Sequence, residues 1–275
     1  MMRSRNPVVL TGFVVVLALL FPPAASAATY PKSIASTGDS ITRAYNTGFF
    51  PYLDNPSASW STGTSTTVNS QYLRLLKLSP KIYGHNYNDA VSGAKMANLA
   101  GQMQNVVAQH AQYVTVLMGG NDLCTPSVGT MTSVATFRTQ LTAAMDTLAS
   151  GLPSVRVEVE SIPNAYHLWE LFKDNFVARS VWSLFSVCQS LLANPLSTTA
   201  ADVARREAVR QRNIAFNDVL RDTCALYIQC RFDGYAVFNT VFTASDITGR
   251  DYFHPSTSGQ AKLASVTWAA GYWPN

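Results

Sequence analysis

Short apolar runs alternate with longer amphipathic segments along most of this chain. The short runs predict β-strands at residues 33–37, 81–87, 113–118, 155–160 and 227–232. The longer segments predict helices at residues 70–78, 94–110, 134–149, 200–223 and 257–270. Such alternation is typical of β-α units, so the pattern predicts an α/β domain with a central parallel sheet of about five strands covered by helices.

Two segments depart from the alternation. Residues 47–69 are rich in Ser, Thr, Asn, Gly and Pro, which favours a long polar loop. Residues 163–196 form an aromatic-rich insertion that contains Trp169 and Trp182 and is too apolar for a solvated linker. These aromatics either line a groove for an apolar ligand or form the core of an inserted helix pair. Neither segment reads as an interdomain linker, so residues 28–275 are expected to form a single domain.

The N-terminus has the pattern of a secretory signal peptide. Arg3 and Arg5 precede an uncharged apolar run at residues 8–21, and the small residues Ala25-Ser26-Ala27 fit a cleavage site. This run is shorter than the roughly 20 residues that span a bilayer, which disfavours an uncleaved anchor. We therefore expect residues 1–27 to be a signal peptide and the protein to be secreted.

Charge and cysteine usage exclude several classes of protein. Removing Arg3 and Arg5 from 20 basic residues, against 16 acidic ones, leaves a net charge of +2, and the chain has no basic run of five or more. A nucleic-acid partner is therefore not expected. With neither a C-x-x-C pair nor an H-E-x-x-H motif, and with four scattered histidines, we expect no metal site and no cofactor.

Four cysteines in an exported chain predict two disulfides. Of the three possible connectivities, one closes a short local loop between Cys224 and Cys230 and pairs Cys124 with Cys188 across the middle of the chain. Spacing alone leaves the other two connectivities open, because the geometry of the folded chain decides between them.

A candidate nucleophile follows the first predicted strand. In Gly38-Asp39-Ser40, the glycine permits a tight turn, and a helix could begin at Ser40. Backbone N–H groups at a helix N-terminus can stabilise an oxyanion. The alternative is that Ser40 is a helix N-cap with no chemical role.

Candidate oxyanion donors follow the next two strands. Gly93 comes after the second strand, and Asn121, within Gly119-Gly120-Asn121-Asp122, comes directly after the third. A glycine lets its N–H approach a ligand closely, and an Asn carboxamide can donate to a developing alkoxide. Both segments are also ordinary turn sequences, which is the alternative.

A candidate base lies near the C-terminus. Asp251 precedes His254 by three residues, close enough for the carboxylate to orient the imidazole. Pro255 keeps His254 out of the α region and predicts a loop before the last helix. A surface histidine beside a helix cap is the alternative reading.

Taken in order, these blocks resemble the SGNH, or GDSL, hydrolase family over about residues 33–270. The matching residues are Gly38-Asp39-Ser40, Gly93, Asn121, and Asp251 with His254. The resemblance implies a three-layer α/β/α, flavodoxin-like fold. It also implies a Ser40 nucleophile, a His254 base aligned by Asp251, and an oxyanion hole formed by the Ser40 and Gly93 N–H groups and Asn121.

A closer likeness points to the phospholipase B-like branch of that family. It is carried by Ser59-Trp60-Ser61-Thr62-Gly63, Gly119-Gly120-Asn121-Asp122-Leu123-Cys124 and Phe253-His254-Pro255-Ser256. The branch implies lipid carboxylesters, including phospholipids, as substrates. One departure is the polar first strand, residues 33–37, for which we expect weaker burial.

The expected function is therefore that of a secreted carboxylic ester hydrolase acting on lipid or other acyl esters. A carbohydrate acetyl esterase would use the same catalytic blocks, and a secreted binding module without activity is the alternative outside the enzymes. We expect a monomer that needs no cofactor and makes transient contact with lipid surfaces.

Overall fold

The structure, a computed structural model, describes residues 1–2 and 30–274. The predicted signal peptide at residues 1–27 therefore lies outside the described residues, apart from its first two. Within the described part of the chain, no helix combines the length and apolar character needed to cross a membrane.

Five parallel strands form one central sheet. They are β1 (Ile34–Gly38), β2 (Asn86–Asn88), β3 (Tyr113–Leu117), β4 (Arg156–Val159) and β5 (Cys230–Phe232). Their spatial order is β2-β1-β3-β4-β5, the flavodoxin-like order of doubly wound sheets. The predicted α/β fold with about five parallel strands is confirmed.

Ten α-helices and five 3-10 turns connect the strands in the described residues. The helices are α1 (Gln71–Leu78), α2 (Leu99–Ala108), α3 (Gly120–Leu123), α4 (Val134–Gly151), α5 (Ala165–Phe172), α6 (Phe176–Leu184), α7 (Gln189–Leu192), α8 (Ala200–Cys224), α9 (Ala236–Asn239) and α10 (Thr257–Ala270). The 3-10 turns are Pro56–Ala58, Pro80–Ile82, Met96–Asn98, Val128–Thr130 and Ala244–Asp246.

The two faces of the sheet differ in polarity. One face presents Ala35, Val114, Val116, Val157 and Val159 to the large apolar core beneath α2, α4 and α8. On the other face, Ile34 and Tyr113 pack with side chains of α1 and α10. Helices on both faces complete the three layers.

A row of polar side chains is buried on the α1/α10 face. Ser36, Thr115 and Glu158 lie side by side in register, and all three are fully buried. The Ser36 hydroxyl bonds the Thr62 hydroxyl at 3.0 Å, and the Thr115 hydroxyl bonds that of Ser61 at 2.7 Å. The expected weaker burial of the first strand is therefore wrong, because its hydroxyls find internal partners.

Those partners come from the segment predicted to be a polar loop. Trp60 is fully buried; its indole N–H donates to the Thr42 hydroxyl at 3.3 Å, and its backbone N–H donates to the Gln260 side chain at 3.0 Å. Residues 59–62 are therefore buried and pack against the sheet. Composition predicts a polar loop here, but it does not show that these Ser and Thr side chains pair with buried groups of the sheet.

Two strand starts were predicted too early. The chain at 80–82 forms a 3-10 turn whose Ile82 is core, Gly84 has a φ of +75°, and pairing begins only at Asn86. The last strand starts at Cys230 rather than residue 227, because turns follow the end of α8. The helix predicted at 94–110 begins as the 3-10 turn Met96–Asn98 before α2.

The aromatic insertion folds as α5, α6 and α7 beside α8. A disulfide joins Cys124 to Cys188, and a second one joins Cys224 to Cys230. Trp182 is fully buried and donates its indole N–H to the Tyr252 carbonyl at 3.1 Å. At this position the insertion therefore contributes to the core and does not line a groove.

We expect Trp182→Ala to lower the free energy of unfolding by about 3–5 kcal/mol, because it leaves a large cavity and an unpaired Tyr252 carbonyl. Urea denaturation followed by circular dichroism measures the loss. Phe176→Ala, which removes a 73% exposed ring from the same helix, is the control and should change little. Equal stability of the two variants would contradict the assignment of Trp182 to the core.

Glu158 makes the buried polar row sensitive to pH. Burial raises the pKa of Glu158 to about 8, although hydrogen bonds from the Tyr113 hydroxyl and the Gln71 amide oppose the shift. Burial and the neighbouring Glu158 also raise the pKa of Glu160, whose two carboxyl oxygens have no hydrogen-bond partner among the described residues. The folded state therefore holds protons that the unfolded chain releases.

The stability of the protein should consequently fall as pH rises from the ordinary carboxyl range towards 8, because only the unfolded state ionises there. Glu158→Gln lacks this contribution. The unfolding free energy of the variant, relative to that of the unsubstituted protein, should therefore increase between pH 5 and pH 8. Urea denaturation of both proteins across that range is the measurement. A difference that does not change with pH would refute a protonated Glu158.

Candidate active site

A glycine two residues before the candidate nucleophile fixes the end of β1. Gly38 has a φ of +142°, and a Cβ there would overlap the Leu117 carbonyl oxygen, so only glycine fits. The buried Gln102 side chain accepts from the Gly38 N–H at 2.7 Å and donates to its carbonyl at 2.9 Å. The strand end that presents Ser40 is thus clamped from both sides.

The helix expected after Ser40 does not form. Residues 40–46 are a series of turns in which the Tyr45 N–H donates to the Ser40 carbonyl at 3.0 Å, and both Ala44 and Asn46 have positive φ. The chain leaves the helical path because the Asn46 N–H pairs with the Leu53 carbonyl at 3.0 Å. A helix N-terminus therefore contributes nothing at Ser40, which corrects the sequence-based prediction.

Ser40, His254 and Asp251 form one hydrogen-bonded series. The His254 Nε2 lies 2.8 Å from the Ser40 Oγ, and the His254 Nδ1 lies 2.8 Å from the Asp251 Oδ2. A carboxylate can only accept, so Nδ1 carries the proton and donates to Asp251. Nε2 is then free to accept the Ser40 hydroxyl proton, the arrangement a histidine base requires.

Asp251 is held as an anion in the interior. Its Oδ1 accepts from the backbone N–H groups of Phe253 at 2.9 Å and His254 at 3.0 Å, and its Oδ2 also accepts from the Asn46 amide. Burial by itself would raise the pKa of Asp251, but the hydrogen bonds and the charge of His254 lower it below its ordinary value. The carboxylate is therefore ionised at neutral pH and can stabilise an imidazolium.

His254 lies on a loop before α10, as Pro255 predicts. An isolated bridge pairs Ile247 with Pro255, the Thr248 N–H donates to the His254 carbonyl at 2.9 Å, and the Ser256 hydroxyl caps the helix by accepting from Gly259. The imidazole is thus fixed by backbone on both sides.

The two candidate oxyanion donors lie at the same edge of the sheet as Ser40. Gly93 follows β2 and Asn121 follows β3, the two neighbours of β1. The Asn121 amide donates to the Ala94 carbonyl at 2.9 Å, which uses one of its two N–H groups and leaves the second for a ligand. Gly93 has a φ of +83° and open space where a Cβ would stand. Their roles at an oxyanion stay a prediction.

Sequence reasoning missed two residues beside this series. Asn46, 2% exposed, contacts Asp251 from a position 205 residues away, so no local pattern could reveal it. Asp39 was part of the nucleophile motif but was given no role. Burial raises the pKa of Asp39 to about 6, and its Oδ1 accepts from the Ile41 N–H at 2.9 Å. The charge of His254 opposes this rise in the pKa of Asp39.

An apolar cleft lies against His254. Its walls include Ile41 and Gly120 next to the nucleophile and Leu168 and Leu171 of α5. The aromatic insertion thus contributes the aliphatic face of its first helix to the cleft, while Trp182 belongs to the core. Among the described residues, no Phe, Tyr or Trp of the insertion lines this cleft, so the insertion borders it through other side chains, such as Leu168 and Leu171, and not through its aromatic rings.

This geometry predicts that a reagent for activated serine hydroxyls, such as a fluorophosphonate, labels Ser40. We expect Asn46→Leu to slow labelling about tenfold, since one hydrogen bond to a charged group is worth about 1.5 kcal/mol. The fall in labelling rate on the acid side of its pH profile should also move to higher pH, because Asp251 loses a donor that lowers its pKa. Mass spectrometry of the labelled peptide follows the reaction.

Asn55→Leu is the matched control for Asn46→Leu. It removes an amide that bonds the Thr47 hydroxyl on the same loop but leaves every bond to Asp251 intact. If both variants react alike, or if the acid side of the pH profile stays in place, Asn46 does not act through Asp251.

Comparison with solved structures is consistent with this architecture. A GDSL-like lipase from Parabacteroides merdae, described as putative, superposes with a TM-score of 0.52 at 16% identity, covering 86% of this chain and 94% of that one. A family 3 carbohydrate esterase from Clostridium thermocellum superposes with a TM-score of 0.50 at 15% identity, covering 86% and 92%. At such identities the likeness speaks for the fold alone.

Comparison of sequences goes further. The membrane-associated phospholipase B1 of Rattus norvegicus is 26% identical over 284 residues, which cover 86% of this chain but only 19% of that protein. The chain therefore spans about a fifth of that relative's length. The family described as GDSL-like Lipase/Acylhydrolase matches residues 34–266, nearly the whole described chain. This protein belongs to the GDSL-like lipase/acylhydrolase family, whose members hydrolyse esters.

Proposed function

We propose that this protein is a secreted carboxylic ester hydrolase that cleaves acyl esters of lipids through a covalent acyl-Ser40 intermediate. The observation that carries the proposal is the continuous hydrogen-bonded series from Ser40 through His254 to Asp251, placed against an apolar cleft.

In the first half-reaction, the Ser40 oxygen attacks the ester carbonyl carbon while His254 Nε2 takes the hydroxyl proton. Asp251 stabilises the imidazolium that results. The carbonyl oxygen becomes an oxyanion, which the Ser40 and Gly93 N–H groups and the Asn121 amide would bind. Collapse of this intermediate breaks the ester C–O bond, and His254 gives its proton to the departing alcohol.

In the second half-reaction, His254 takes a proton from water, and the hydroxide attacks the acyl-Ser40 carbonyl. The same donors bind the second oxyanion. Its collapse releases the carboxylic acid and returns the proton to Ser40, so the cycle consumes only ester and water and needs no cofactor.

The lining of the cleft supports lipid esters as the substrate class. Leu168, Leu171, Ile247 and Phe253 present hydrocarbon to its interior, and His254 stands at its wall. An acyl chain in this cleft would exchange water for apolar contacts, at about 25 cal/mol for each Å² buried. The similarity to phospholipase B1 over 86% of the chain agrees with this choice.

Two disulfides and the predicted signal peptide at residues 1–27 support secretion, because disulfides persist in oxidising compartments. We further propose that residues 28–275 act as one monomeric domain.

A carbohydrate acetyl esterase is the second candidate, favoured by one observation. An open recess borders Gly93, and its lining includes the polar side chains of Asp89, Asn98 and Asn105. Carboxylate and amide side chains of this kind can hydrogen-bond the hydroxyls of a sugar.

We expect Ser40→Ala to reduce kcat/KM by about 10⁶-fold and Asp251→Asn by about 10⁴-fold, because the first removes the nucleophile and the second favours the wrong tautomer of His254. Ser92→Ala, beside Gly93 but bonded to Asp54, is the control and should keep its activity. Hydrolysis of a chromogenic ester provides the rates. Full activity of Ser40→Ala would eliminate this mechanism.

The substrate class is tested with esters of increasing acyl length, phosphatidylcholine and acetylated xylan. The proposal expects activity to rise with chain length and to include phosphatidylcholine. Activity confined to acetyl groups on xylan would replace the lipid assignment with the carbohydrate one.

A further inference from the structure

Large apolar side chains are exposed in two segments of the chain. In the loop at 47–53, Phe49 is 89% exposed and Phe50 65% exposed, and in the insertion Phe176 is 73% exposed and Leu184 77% exposed. Soluble proteins rarely leave such groups clustered in water without a partner. We call Phe49, Phe50, Tyr52, Phe176, Leu184 and Phe185 the apolar patch.

The patch joins two distant parts of the chain. The rings of Tyr52 and Phe185 lie 5.9 Å apart, which places the end of α6 beside the loop. On α6, Ala178 and Trp182 are buried, whereas Phe176 and Leu184 project from the outward side. Phe176 and Leu184 are therefore exposed because they lie on the outward side of a formed helix, and not because the ends of α6 are unwound.

The loop that carries Phe49 and Phe50 is firmly held. The Arg250 guanidinium donates to the carbonyls of Asn46, Phe49 and Phe50 at 3.1, 3.0 and 3.1 Å. The Asn46 amide oxygen accepts from the Tyr52 N–H. The backbone is thus fixed while the aromatic rings face solvent, which favours a surface prepared for contact.

Positive charge borders the patch. Arg250 lies beneath the loop, and the Arg179 guanidinium lies 5.8 Å from the centre of the Phe176 ring. Neither arginine forms an ion pair with a carboxylate in residues 30–274. Aromatic side chains flanked by arginines without a carboxylate partner match a surface with an apolar interior and phosphate groups at its boundary.

The patch is also continuous with the active site. The Tyr45 ring lies 4.9 Å from the His254 ring, and Asn46, at the base of the loop, bonds Asp251. A surface that received the patch would lie beside the series that ends at Ser40.

We propose that the apolar patch docks this protein onto the surface of a phospholipid aggregate, with Phe49 and Phe50 inserted among the acyl chains and Arg179 and Arg250 near the phosphates. The inference rests on the lipid substrate class of the proposed function. A second copy of the chain suits the patch less well, since a two-fold contact there would gather four arginines without a carboxylate partner.

Docking is measured by cosedimentation with vesicles of phosphatidylcholine and phosphatidylglycerol, in a Ser40→Ala background so that the lipid is not consumed. We expect Phe49→Ser/Phe50→Ser to weaken the partition coefficient about tenfold or more, because each ring loses its transfer into hydrocarbon. Leu226→Ser/Ile228→Ser is the matched control. It removes two side chains that are 75% and 103% exposed between α8 and β5, and it should partition unchanged.

With Ser40 present, Phe49→Ser/Phe50→Ser should hydrolyse a soluble short-chain ester at the unsubstituted rate and lose activity only towards aggregated phospholipid. Equal partition of both double variants would overturn the docking proposal. A change of Phe49→Ser/Phe50→Ser from dimer to monomer in sedimentation velocity, with vesicle binding intact, would also overturn it and would assign the patch to a second copy.

The proposed function is read out separately, on short-chain phosphatidylcholine below the concentration at which it forms micelles. Failure to hydrolyse these monomers contradicts the lipid esterase activity. Hydrolysis of the monomers together with equal vesicle partition contradicts the apolar patch alone.

Discussion

An ionised carboxylate inside the protein is the constraint on which the active site depends. Asp251 is 7% exposed, and an isolated charge so placed would take up a proton. Four donors prevent this: the backbone N–H groups of Phe253 and His254, the His254 ring and the Asn46 amide. The resulting anion selects the tautomer of His254 whose Nε2 faces Ser40. A serine hydroxyl, weakly acidic by itself, thereby gains a base at 2.8 Å.

The fold of the sheet brings these donors and acceptors together. Parallel strands end at a common edge, so Ser40, Gly93 and Asn121 meet there although 81 residues separate the first from the last. The interior behind this edge is unusually polar for a sheet face. Ser36, Thr115 and Glu158 replace the expected apolar row, and residues 59–62 supply the hydroxyls that pair two of them. Trp60 closes the layer beneath α10.

The sequence was sufficient for the features that depend on local pattern. Strand and helix order followed from periodicity. Each short motif alone left Ser40, His254 and Asp251 with an alternative interpretation, and their order along the chain, which resembles the GDSL family, selected them. The early start given to the second strand shows the limit of periodicity, since Ile82 is equally apolar in a 3-10 turn. Asn46 shows a second limit, because its partner is 205 residues distant. The turns after Ser40 show a third: one long-range backbone pairing with Leu53 overrides a sequence that could begin a helix.

Turnover is proposed to proceed through an acyl group on Ser40. Rapid acid quenching during hydrolysis of a long-chain ester, followed by mass spectrometry of the peptide containing residue 40, tests it most directly. We expect a transient increase in mass equal to the acyl group, located on Ser40, that appears and decays with turnover. Sustained hydrolysis without any covalent adduct, or an adduct on a different side chain, would contradict it.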